Sequence, residues 1–183
     1  MRSRFLSHLA LGCLALLPIQ SLFASGTATL NVFAHVEESA LSLAQAEALN
    51  FGSFVPSGAD TLILSPDGSI SLAAGNLVHS GGQTPGRMLA SDGRSGKLAR
   101  VSFANNDEGI LLENLFDPSK TMRVRRFTIG DDGSDTVDNP DFGRLRFDGD
   151  GKASFYVGAE LEVSNGQEPG LYRGEIQVTV SYD

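Results

Sequence analysis

In several short stretches of this chain the apolar residues fall on every second position, and glycine or proline closes each stretch before it lengthens. Such alternation gives an extended strand one apolar face, so it restricts the chain to sheets with one side buried. The segment TATLNVFAHV sets Ala28, Leu30, Val32, Ala34 and Val36 on one face, against Thr27, Thr29, Asn31, Phe33 and His35 on the other. The final stretch does the same with Tyr172, Ile176, Val178, Val180 and Tyr182, against Gln177, Thr179 and Ser181. Twenty-one glycines and seven prolines spread along the chain punctuate it at intervals that suit an all-β antiparallel sandwich. No period of about 20–50 residues repeats, which excludes a solenoid or propeller.

Between those two ends the elements read as follows. The stretch from Glu37 to Leu49 mixes helix-favouring Ala and Glu with a strand-like LSL, and it reads as a strand with one helical turn. TLILSPDGSISLA reads as a hairpin, because Pro66 pre-sets φ and Gly68 accepts a positive φ between Leu62/Leu64 and Ile70/Leu72. Gly75 to Gly86 has the composition of a flexible loop, after which RMLAS and KLARVSFA read as a strand pair around SDGRSG. TMRVRRFTI is a strand with Met122, Val124 and one of Phe127 or Ile129 inward. The acidic run from Gly130 to Asp141 reads as a surface loop, since it has too little apolar area to bury. Beyond it, strands are expected at Leu145/Phe147, Phe155/Val157 and Leu161/Val163, with a turn at DGDG.

Residues 1–25 have the form of a secretory signal peptide: Arg2 and Arg4, an apolar run from Leu9 to Ile19, then small residues from Ala24 to Ala28 where cleavage is expected. The run falls short of the roughly 20 residues a spanning helix requires, so the expectation is an exported chain that does not insert in a membrane. Cys13 sits inside this run, and a lipoprotein reading of it is weaker than that of an ordinary apolar position. The remaining residues, 26–183, are enough for one domain that buries about 70% of its unfolded surface, with no thiol to staple it. Removing Arg2 and Arg4 from 14 basic residues against 22 acidic ones takes the net charge from −8 to −10. A surface of that sign repels phosphate backbones, so nucleic acid is not an expected partner.

Nothing selects a catalytic centre. No G-x-S-x-G elbow, G-K-[ST] phosphate loop or H-E-x-x-H helix occurs, and His35 and His79 are the only histidines outside the leader. Asp131, Asp132 and Asp135, with Asp138, Asp141 and the Asp148/Asp150 turn, offer oxygen ligands for a structural calcium. Their order does not fit an EF-hand, because Thr136 stands where its glycine belongs, and the plainer reading is turn formers on an acidic surface. Arg123, Arg125 and Arg126 form the one basic cluster and read as a solvated sheet face. No cofactor is expected.

At LNFGSFVPSGADTLILSPDGSI and at FYVGAELEVSNGQEPGLYRGEIQVTVSY the chain resembles the bacterial family called domain of unknown function 4402. The likeness runs through the aromatic-glycine opening, the V-G-x-x-L element at Val157 to Leu161, and the P-G-x-Y-x-G ending at Pro169 to Gly174. It implies an immunoglobulin-like sandwich related to bacterial fimbrial subunits. Subunits of chaperone-usher pili end in an alternating strand with a penultimate tyrosine and a glycine fourteen from the end, and Tyr182 and Gly170 stand at those places. The cysteine pair of many such subunits is absent. The resemblance implies donation of Leu30, Val32 and Val36 to a neighbouring copy or another subunit. It also implies an edge at Ile176, Val178, Val180 and Tyr182 that a periplasmic chaperone or neighbour pairs. The expected function is a structural or adhesive surface protein without catalytic activity, in the periplasm, at the cell surface or outside. The alternative is a self-contained periplasmic or secreted binding sandwich, whose mark is residues 27 to 36 hydrogen-bonded within their own subunit.

Overall fold

A computed structural model describes residues 40–182, so the signal-peptide segment, Leu30, Val32, Val36 and His35 lie outside the described residues. In chain order the strands are β1 (Ser42–Glu47), β2 (Ser53–Pro56), β3 (Asp60–Leu64), β4 (Ile70–Leu72), β5 (Leu77–Gly81), β6 (Gly86–Ser91) and β7 (Leu98–Phe103). There follow β8 (Ile110–Asn114), β9 (Thr121–Gly130), β10 (Val137–Asn139), β11 (Arg144–Arg146), β12 (Ala153–Val163), β13 (Tyr172–Arg173) and β14 (Val178–Tyr182). Among the described residues a single 3-10 turn, Pro140–Phe142, precedes β11. The described residues are all-β, their sheets are curled, and every strand pair among them is antiparallel.

The larger sheet runs β1-β6-β12-β9-β8-β13, with β3 also on β12 and β4 on β3. The second runs β10-β11-β7-β14, and β2 and β5 form a separate ribbon. Alternation in β12 buries Ala153, Phe155, Val157, Ala159, Leu161 and Val163, which makes it the spine of the core. Leu145, Ala99 and Val101 from the second sheet join the same apolar cluster. Along one side of β12, β6 pairs with residues 153–157 and β3 with residues 159–163. Gly158 marks the change of partner. A Cβ there would stand 2.3 Å from Leu64 O and 2.8 Å from Pro66 N, so glycine admits the hairpin to the spine.

The hairpin forms as expected. Leu62 faces Leu72, Leu64 faces Ile70, and Gly68 at φ 83° closes the turn, its N–H donating to Ser65 O. At the open end of this hairpin the buried Asp60 carboxylate accepts the N–H groups of Thr61 (2.8 Å), Ala74 (2.8 Å) and Asn76 (2.7 Å).

β9 buries both Phe127 and Ile129 as well as Met122 and Val124, which strict alternation forbids. A bulge opposite Gly158/Glu160 resolves this: Arg126 takes φ 51° and the inward phase shifts by one residue. Asn106 satisfies the backbone that the bulge unpairs, because its Oδ1 accepts from Phe127 N at 2.6 Å and its backbone O from Arg126 N at 3.0 Å.

Other expectations are corrected. Gly75 to Gly86 is not simply loop, since Leu77–Gly81 pairs with Ser53–Pro56 and buries Leu77. β6 and β7 are strands, but they belong to different sheets, so SDGRSG is a crossover and not a hairpin turn. The DGDG turn likewise carries the chain from β11 to β12 across sheets. Glu37 to Leu49 forms β1 without a helical turn among its described residues. The acidic run is partly ordered into β10 and buries Thr136.

Candidate functional site

The last strand leaves one edge free. Val178 and Val180 point inward, half-buried, while Thr179 and Ser181 face out. β14 pairs with β7 from Val178↔Phe103 to Tyr182↔Ala99, and no described strand pairs its other edge. Its end is pinned: Tyr182 Oη accepts the Arg94 N–H at 2.6 Å, and its ring lies 6.1 Å from that of buried Phe147. Ile176 packs on the core just before β14 begins. All four C-terminal residues singled out in the sequence therefore lie along one apolar row.

At the start of this strand, where Ile176 and Val178 line it, opens a groove of about 1280 Å³. Its floor is core-type surface from the larger sheet, including Met88, Val157, Leu161, Val124 and Phe127. Leu43 on β1 forms one wall, Phe103 and Val178 the other, and Val55, Leu115 and Leu171 line its entrance. Small-molecule sites measure roughly 300–1,000 Å³ and carry a few convergent polar groups. This groove exceeds that size and opens at the start of an unpaired strand, so its size suits an extended apolar segment better than a compact ligand. Most of that floor is buried, Val124, Phe127, Val157 and Leu161 among it, while Met88 is half-buried.

The remaining sequence candidates are committed elsewhere. Asp132 accepts from Ser134 Oγ and Ser154 Oγ and pairs with Arg87 at 3.4 Å. Burial works against its ionisation, but the Ser134 and Ser154 hydroxyls, the Ser134 N–H and Arg87 outweigh it and hold the carboxyl below its ordinary value. Asp131 Oδ1 accepts the Gly133 N–H, and Asp131, Asp132 and Asp135 do not converge. Among the described residues no three His, Cys, Asp or Glu side chains are grouped to hold a metal ion.

The basic cluster is neutralised across the sheet. Arg125 meets Glu162 at 2.7 Å, Arg126 meets Glu160 at 3.1 Å, and Arg123 Nη1 donates to Glu108 O at 2.6 Å. Sequence reasoning missed this because β12 was not yet known to flank β9. His79 Nε2 lies 2.8 Å from Phe51 O while its Nδ1 accepts the Gly81 N–H at 3.3 Å, so both ring nitrogens fasten the β2–β5 ribbon. No helix among the described residues is long and apolar enough to cross a membrane.

The Val157–Leu161 element is the partner switch on β12, and Gly170 packs against Asn114, whose side-chain amide a Cβ at that position would strike. No curated protein matches this chain. The sequence model of the family described as Domain of unknown function (DUF4402) matches residues 41–182, the whole of the fold described above apart from Ala40, and the chain belongs to that family.

Proposed function

We propose that residues 26–183 are an exported pilin-like subunit, built as an immunoglobulin-like sandwich and assembled by strand addition after removal of signal peptide 1–25. The alternating segment 27–36 of one copy, or of a related subunit, adds to the free edge of β14. Its Leu30, Val32 and Val36 fill the groove of the next subunit. A periplasmic chaperone covers the same edge before assembly. The protein has a structural or adhesive role at the cell surface, and no catalytic step is assigned to it.

The observation that supports this reading most is the coincidence of an unpaired β14 edge with an apolar groove of about 1280 Å³ that opens at the start of that strand, where Ile176 and Val178 line it. An open sheet edge templates addition of another strand, and soluble proteins otherwise blunt or cover such edges. Burying Leu30, Val32 and Val36 contributes roughly 1.5–3 kcal/mol each. Together with the backbone pairing, that is on the scale of a domain's whole stability, about 5–15 kcal/mol.

The test is an SDS gel of surface-sheared and periplasmic fractions, unboiled and boiled. The expected result is a ladder that collapses on boiling and vanishes in the Leu30→Asp/Val32→Asp variant. A single monomer band confined to the periplasm, unaltered by that variant, removes the strand-addition reading.

A further inference from the structure

We infer that the apolar rim at the groove entrance, formed by Val55, Leu115 and Leu171 with Phe116 next to Leu115 in the chain, seats the body of a second copy of this chain, stacked head to tail. The inference rests on the strand-addition reading and adds to it a contact between subunit bodies.

The two ends of the fold can be told apart by register. β1 begins with Ser42 opposite Ser91, and three residues further on the Arg94 N–H reaches Tyr182 Oη, so Ser42 and Tyr182 mark one end. β12 starts beside Ala90 at that end and runs to Val163 beside Asp60 at the other. Leu115 and Phe116 follow β8 at this far end, where Leu115 N donates to Leu171 O. Val55 lines the same groove as Leu115 and Leu171.

The four rim residues are 62%, 56%, 89% and 64% exposed in chain order. Single exposed apolar side chains are ordinary, but several around one opening mark a contact surface. Phe116 is also held in place. Its N–H donates to Asn114 Oδ1 at 2.9 Å, and Asn114, itself only 2% exposed, is tied to Pro169 O at 3.3 Å. An exposed aromatic carried on a backbone fixed in this way spares the loop any ordering on docking, which suits an interface anchor.

Chain length identifies the occupant. Every described pair is antiparallel, and a segment that continues the pattern enters beside Tyr182 and leaves beside Val178, with Val36 at the rim. Only residues 37–41 then separate Val36 from Ser42, where β1 of the donor's own body begins. So short a tether spans at most about 20 Å. The donor's body must therefore rest on the rim, and the end it presents is its own Ser42/Tyr182 end. Such a contact joins two different surfaces, so it repeats from copy to copy and extends a filament.

The experiment uses the full chain with photoreactive p-benzoylphenylalanine in place of Phe116, prepared as a mixture of isotope-labelled and unlabelled copies. Irradiation is expected to link position 116 of one copy to the Ser42 or Ser91–Lys97 region of another, read by mass spectrometry. In parallel, Phe116→Asp/Leu171→Asp is expected to slow ladder formation roughly tenfold with an unchanged melting temperature, since both side chains are exposed. A normal ladder with no link between copies overturns the rim contact and leaves strand addition standing. A chain that forms no ladder at all overturns both.

Discussion

Replacing Gly158 with alanine is expected to destabilise the fold by about 3 kcal/mol, the upper end of the usual cost of overpacking. The new Cβ meets Leu64 O at 2.3 Å and Pro66 N at 2.8 Å, and backbone atoms cannot rotate away as a flexible side chain would. Relief requires the β3–β4 hairpin to draw back from β12, which uncovers Leu62, Leu64 and Leu161 together. Gly149→Ala is the control, because a Cβ there meets nothing within 4 Å, and its cost should stay within about 0.5 kcal/mol. Urea unfolding followed by circular dichroism measures both. Equal midpoints for the two variants would refute the role of Gly158 as the place where β12 changes partners.

The second large effect is expected at Asp60. Asp60→Ala strands three backbone N–H groups at the mouth of the hairpin and should cost on the order of 3 kcal/mol. Burial of Asp60 favours the neutral acid, but the N–H groups of Ala74, Thr61, Asn76 and Gly75 outweigh it and hold the carboxyl below its ordinary value. The sign follows from that direction. A carboxylate whose folded pKa is depressed contributes stability that is present above the unfolded value, about 3.9, and is lost as pH falls through the folded value. Asp60→Asn should therefore differ most from the parent near neutrality, and the gap should narrow below about pH 4. Asp132 shifts in the same direction, so some acid sensitivity persists in the Asp60→Asn variant. A midpoint gap that stays constant from neutral to acid pH would show that Asp60 acts through its shape and not its charge.

Much of the strand content was legible in the sequence, whereas most of the pairing was not. Alternation located β9, β12 and β14, and the Pro66–Gly68 turn located the hairpin, because these depend on side-chain period and local φ alone. Which strand lies beside which depends on contacts distant in sequence. RMLAS and KLARVSFA are each well-formed strands, yet one pairs with β1 and β12 and the other with β11 and β14. β8, Ile110–Asn114, carried no reading at all, and β5 was hidden by glycines that look like loop until His79 and Phe51 are seen to fasten the ribbon.

For the candidate site, the row from Ile176 to Tyr182 was visible as alternation. The groove was not, since its lining comes from residues far apart in the chain, Leu43, Phe103, Leu115 and Val178 among them. The phase shift in β9 had a trace in the sequence: Met122, Val124, Phe127 and Ile129 are apolar with one interval too long by a residue.

The pairing of β14 also governs when this fold can be completed. Tyr182 pairs with Ala99 and Val163 with Asp60, so the closing contacts join the latest residues of the chain to much earlier ones. Such long-range pairings form slowly, because the entropy of closing large loops must be overcome before the contacts yield any return. Until β14 pairs, β7 has β11 on one edge only and its other edge stays open. A chain of this topology passes through a prolonged interval in which sticky edges outnumber finished ones, when it is most liable to aggregate. Holding it apart from its sister chains during that interval is as much a requirement of its folding order as of any later assembly.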